Sequence, residues 1–145
     1  MDMKALADAL TFARIIVVLV VLSSGFLWGR VAFRLVTIAS LLGWTTDILD
    51  GEFARRATHK RKTWIGENDF NMDVALFVAI FVYLALIGIV STRFAIAFLV
   101  LGTICAFISR SRSVIQVFEA PVIALSLYAV FREEPFLARV VLLWI

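Results

Sequence analysis

Charge is what this chain has least of for its size. Only 17% of its 145 residues are Asp, Glu, Lys or Arg, and 63% are hydrophobic, whereas a soluble domain carries about a quarter charged and about half apolar. With a mean hydropathy of +1.01, that shortage excludes a soluble globular domain and leaves an integral membrane protein built as a single bundle. Cysteine is nearly absent. Cys105 stands alone inside an apolar segment, so no disulfide framework is possible and it reads as a small buried hydrophobe. The opening MDMKALADAL has no basic stretch followed by a cleavage site, so no signal peptide is removed from the reading. No repeat period or low-complexity segment stands out, the net charge is only +3, and no nucleic-acid partner is expected.

What is present is a series of apolar segments. A short lead-in, 1–9, kept wet by Asp2, Lys4 and Asp8, precedes segments at about Leu10–Trp28, Val31–Leu49, Asp73–Val90, Phe94–Ser109, Ser113–Phe131 and Phe136–Ile145. A span needs roughly 20 residues, so Leu10–Trp28 is long enough to cross and the last segment is short or truncated. The fold class expected is an all-α integral membrane bundle of six transmembrane helices, residues 1–145 forming one domain. Glu119 and Pro121 are expected to break the fifth segment, and Gly25 with Gly29 is spaced for close helix approach. Lys4, Arg55, Arg56, Lys60, Arg61, Lys62, Arg110 and Arg112 fall on one side, against Arg30, Arg93 and Arg132 on the other. The positive-inside rule puts the first side, with the N-terminus, in the cytoplasm, and the expected location is a prokaryotic cell membrane.

Four of the eleven acidic residues lie between 47 and 73, as the pairs Asp47/Asp50 and Asp69/Asp73. Residues three or four apart share a helix face, so each pair can present two carboxylates together. Two such faces meeting would form a cage of hard oxygens suited to divalent cations. The plain alternative is that they cap helix ends and stay solvated, a reading that two spaced pairs joined by glycines and arginines weaken. Gly51 and Ala54 lie one turn after Asp47 and Asp50 and leave room for a ligand. Arg55 follows, with a guanidinium that forks onto phosphate.

Asp47-Ile-Leu-Asp50-Gly51-Glu-Phe-Ala54-Arg55, followed by Gly66 and Asp69-x-x-x-Asp73, resembles the signature of the CDP-alcohol phosphatidyltransferase family. Leu10-Thr11-Phe12-Ala13-Arg14-Ile15 is similar to the family's first-helix opening, and the segment layout agrees across nearly the whole chain. One residue is inserted: Arg55 to Asp69 is fourteen positions, where the family pattern has thirteen, and Trp64 stands where its glycine would. The resemblance implies a membrane enzyme of phospholipid biosynthesis that displaces CMP from a CDP-linked donor, such as CDP-diacylglycerol, with the hydroxyl of a small alcohol. It implies that Asp47, Asp50, Asp69 and Asp73 bind two Mg²⁺ or Mn²⁺ ions, and that Asp73 is also the general base. It implies further that Gly51, Ala54 and Arg55 contact the CDP moiety, and that the protein is a homodimer in membrane lipid.

Arg110 and Arg112, with the basic loop residues, are candidates for a phosphate on the acceptor, or for topology setting and anionic headgroups. Arg14 either snorkels or pairs with a motif carboxylate. Glu119 is expected to face the bundle interior in a structural hydrogen bond, and His59 to be solvated. The other function classes are a small cation-handling membrane protein and a family member without turnover. Acidic residues clustered at one interface, not strung along a path, disfavour cation transport.

Overall fold

The computed structural model describes residues 3–56, 69–109 and 112–144; at Asp50, Ala54, Arg55, Asp69, Asp73 and Arg112, among others, it is the backbone that is described. His59, Lys60, Arg61, Lys62, Trp64, Gly66 and Arg110 lie outside the described residues. Every regular element among those described is helical: α1 (Met3–Trp28), a 3-10 turn (Gly29–Ala32), α2 (Phe33–Arg56), α3 (Asp69–Leu86), α4 (Thr92–Ser109), α5 (Arg112–Glu133) and α6 (Pro135–Trp144). An apolar chain with little polar side-chain material must satisfy its backbone internally, and a helix does so within one segment. The hydroxyls inside the helices follow the same logic. Thr37, Ser40, Thr45, Thr103 and Ser126 each donate to the carbonyl four residues earlier, at 2.7–2.9 Å, so each hydroxyl proton is satisfied within its own helix.

Gly29 reverses the chain between α1 and α2. Its φ of +54° is left-handed, and a Cβ there would meet nothing within 4 Å, so the requirement is conformational. The two helices then run antiparallel, with Val17 against Gly43 and Arg14 against Asp47. α3 returns antiparallel to α2: Phe33 packs on Tyr83 and Trp44 on Phe77, each with ring centroids 6.4 Å apart. α4 turns back on α3 through Phe81, Phe94 and Phe98, and α5 on α4 through Phe118 against Phe98 and Gly102. α6 runs alongside α2. Arg34 Nε donates to Glu134 Oε1 (2.6 Å) at one end, and Trp144 Nε1 to Thr45 Oγ1 (3.1 Å) at the other.

Three sequence expectations change. α1 begins at Met3, not at Leu10; α2 continues past Leu49 to Arg56; α3 starts at Asp69, not at Asp73. Hydropathy marks the apolar part of a helix, while the hydrogen-bonded helix continues through polar residues beyond it. Pro121 does not break α5, which runs unbroken from Arg112 to Glu133; a missing N–H in one turn is tolerated where neighbouring groups take up the freed carbonyl. The Gly25/Gly29 pair also divides. Gly25 is a close approach, where a Cβ would lie 2.9 Å from Leu86 Cδ1 and 3.0 Å from Tyr83 Cδ2, while Gly29 is the turn.

The interior and the outside are both apolar. Leu76, Ile80, Phe81, Tyr83 and Leu84 of α3 are buried, whereas Phe26, Val31, Ile108, Phe136 and Leu143 are each more than two-thirds exposed. Among the described residues one helical run, Asp8–Phe53, is long and apolar enough to cross a membrane. It bends at Gly29, so α1 and α2 are its two arms. Val74–Leu86, Thr92–Cys105 and Pro135–Trp144 are shorter apolar stretches, and Cys105 is half-buried in α4.

α2 meets both α1 and α3 closely at Gly43, where a Cβ would stand 2.8 Å from Leu76 Cδ2 and 3.4 Å from Val17 Cγ1. Gly43→Val should therefore wedge α2 from both neighbours and lower stability by about 1–3 kcal/mol, read as a lower unfolding temperature in detergent. Gly29→Ala has open space and should lose about 1–2 kcal/mol, from its left-handed backbone alone. A Gly43→Val protein as stable as the parent would show that this contact is slack.

Candidate metal and nucleotide site

α2 meets α3 at Gly43 and Leu76, and the acidic residues continue that contact towards one end. Asp47 and Asp50 lie four and seven residues after Gly43; Asp73 and Asp69 lie three and seven before Leu76. Those spacings keep all four positions on the stripe where the antiparallel helices face each other. At about 1.5 Å per residue, Asp47 and Asp73 stand roughly 6 and 4.5 Å beyond the contact, and Asp50 and Asp69 both roughly 10.5 Å. The backbone thus arranges the four aspartates as two matched tiers. Gly51, Ala54 and Arg55 follow on the last turns of α2, and Arg112 opens α5 at the same end. Arg110 falls outside the described residues.

Of the four, Asp47 is described to its side chain. Arg14 Nη2 lies 3.2 Å from Asp47 Oδ1, with the Arg14 side chain fully buried and Asp47 48% exposed. The choice between snorkelling and pairing is thereby decided: Arg14 pairs. Its burial follows from position, since it lies one turn before Val17, which packs against Gly43. Glu119, part-buried on α5, lies within Coulombic range of Asp47, so a fifth carboxylate borders the site. Trp144 was not anticipated. It packs at a tilt against Trp44, ring centroids 6.1 Å apart, and donates to Thr45, two residues before Asp47. A Trp closing an apolar run was the only sequence signal for it.

Aspartate positions on two facing helices suit a divalent cation that keeps coordination positions free for phosphate oxygens. The half-exposed Asp47 fits that role, because its second oxygen is not the one bonded to Arg14. Small residues and a guanidinium one to two turns along the same helix suit a diphosphate.

A family model for CDP-alcohol phosphatidyltransferase matches residues 4–145. The chain belongs to the CDP-alcohol phosphatidyltransferase family. No curated protein and no solved structure matches it. The family is membrane-associated, transfers substituted phosphate groups in phospholipid synthesis, and depends in general on divalent metal.

Asp47→Ala separates two effects at this site. Removing a carboxylate from a vacant acidic cluster ordinarily relieves repulsion. Here it also takes a partner from a buried guanidinium, and hydrogen bonds to charged groups contribute about 1.5–3 kcal/mol. In EDTA the variant should therefore unfold at a lower temperature than the parent. An unchanged or higher midpoint would mean that the Arg14–Asp47 pair contributes nothing to the fold.

Proposed function

We propose that this chain is a metal-dependent phosphotransferase that moves a phosphatidyl group from a CDP-linked lipid, with CDP-diacylglycerol the first choice, to a small alcohol, releasing CMP. The observation that carries the reading is the matched register of Asp47/Asp50 on α2 and Asp69/Asp73 on α3, with Gly51, Ala54 and Arg55 continuing the first helix. Asp47, Asp50, Asp69 and Asp73 would hold two ions, Mg²⁺ or Mn²⁺, whose charge offsets that building on the diphosphate as CMP leaves. Asp73 accepts the proton of the attacking hydroxyl. Gly51 and Ala54 let the nucleotide approach the α2 backbone, and Arg55 bonds the diphosphate. Arg112, with Arg110, is assigned to the acceptor's phosphate; glycerol 3-phosphate and an inositol phosphate are the leading acceptors.

The chain acts as one domain, 1–145, of six membrane crossings in a homodimer. The alternation of α1 to α6 supports that count, and the exposed apolar side chains on every helix support a lipid surround. Lys4, Arg55, Arg56 and Arg112 lie at the site end, against Arg30, Arg93 and Arg132 at the other, which supports a cytoplasmic site in a prokaryotic cell membrane. An apolar pocket between α2, α3, α5 and α6, lined by Val36, Leu41, Trp44, Ile80, Leu127 and Val141 among others, ends one turn below Asp47 and supports a donor with hydrocarbon tails.

The test is CMP release by the purified chain with Mn²⁺ or Mg²⁺, labelled CDP-diacylglycerol and a panel of alcohols. Release with at least one acceptor is expected; none with any acceptor would overturn the reading. Asp73→Asn should lower turnover by at least about 100-fold, the scale of a lost general base, while retaining substantial donor binding. Near-normal turnover would remove Asp73 from that role.

A further inference from the structure

Asp47 is held unsymmetrically. Its Oδ1 faces the buried guanidinium of Arg14 at 3.2 Å, while its side chain is 48% exposed. Arg14 cannot withdraw, because α1 is fixed against both neighbours: Val17 on Gly43 of α2, and Gly25 on Tyr83 and Leu86 of α3. Nor can it lose its charge at any ordinary pH.

We propose that Arg14 is a positioning residue that presents Asp47 to metal through Oδ2 alone, and so biases the site towards Mg²⁺-sized ions and against Ca²⁺. The proposal rests on the metal-site reading above. A cation drawn to both oxygens of Asp47 would approach a fixed positive charge, whereas one bound to Oδ2 stays on the open side. Mg²⁺ loses little by this, since it takes single oxygens at about 2.0–2.1 Å in an octahedron; Ca²⁺ takes about six to eight oxygens at about 2.3–2.6 Å and uses bidentate carboxylates to reach that number. Restricting one carboxylate to a single oxygen therefore removes a ligand from Ca²⁺ and none from Mg²⁺. The tie also sets the height of Asp47 against Asp73 by fixing α1 to α2 one turn above the Gly43 contact.

The test is metal binding without substrate. Mn²⁺ bound to the purified chain in detergent is displaced by Mg²⁺ or by Ca²⁺, and free Mn²⁺ is counted by electron paramagnetic resonance. Both competitors carry the same charge, so the ratio of their displacement constants cancels whatever Arg14 contributes by simple repulsion and reports the number of oxygens offered. Arg14→Gln should move that ratio towards Ca²⁺ on the order of tenfold, the scale on which residues behind a metal ligand act. Arg14→Lys keeps the buried charge on a stem one bond shorter, and should move the ratio the same way by less; it decides the matter alone if the Gln variant does not fold. A folded variant that binds Mn²⁺ with an unchanged ratio overturns the proposal, because a residue that merely ties helices together would alter stability and not the ratio. Absence of Mn²⁺ binding by the parent chain overturns the metal-site reading itself, and this proposal with it.

Discussion

Gly43 has no side chain, and the acidic end of the molecule depends on that absence. A Cβ at this position would lie 2.8 Å from Leu76 Cδ2, so the Leu76 side chain fills the space a larger residue at 43 would need. In a membrane there is little hydrophobic drive to press helices together, and close packing of small residues takes its place. The contact sets two things at once: the separation of the helices and their relative height. Because helix rise is constant, fixing the height at Gly43 and Leu76 fixes it for Asp47 and Asp73 one turn on, and for Asp50 and Asp69 after that. The metal site proposed above, assembled from two helices, would depend on that registration.

Electrostatics works against this arrangement until it is compensated. Burying a guanidinium is costly, and a pair recovers the desolvation only with good geometry and further polar contacts. Arg14 is fully buried while Asp47 stays half exposed, so the carboxylate keeps much of its hydration and the guanidinium gains a partner at the boundary. The pair then does two jobs. It ties α1 to α2 near Asp47, and it places a positive charge beside the Asp47 carboxylate.

Much of this was legible in the sequence, and the exceptions have physical reasons. The spacings of Asp47/Asp50 and Asp69/Asp73 specify shared faces, because helical periodicity is local. The apolar segments identified each helix, because satisfying the backbone inside lipid leaves few alternatives. Helix ends were misjudged: hydropathy changes at the membrane surface, but the hydrogen-bonded helix of α2 continues to Arg56 and that of α3 begins at Asp69. Arg14 stayed ambiguous because its partner lies on another helix, and only the register fixed at Gly43 brings Asp47 to its height. Pro121 read as a break because its own missing N–H is visible in the sequence, while the packing around α5 that tolerates it is not.

Named polar ties join the helices at both ends of the bundle. At the end away from the aspartates, Tyr83 Oη donates to the Gly29 carbonyl (3.1 Å), Arg30 Nε to the Ile87 carbonyl (2.9 Å), and Arg34 pairs with Glu134 (2.6 Å). These bonds join α1, α2, α3 and the start of α6 where the chain reverses. At the aspartate end, Arg14 pairs with Asp47, and Trp144 Nε1 donates to Thr45 Oγ1. Both involve α2, the helix that carries the first acidic pair.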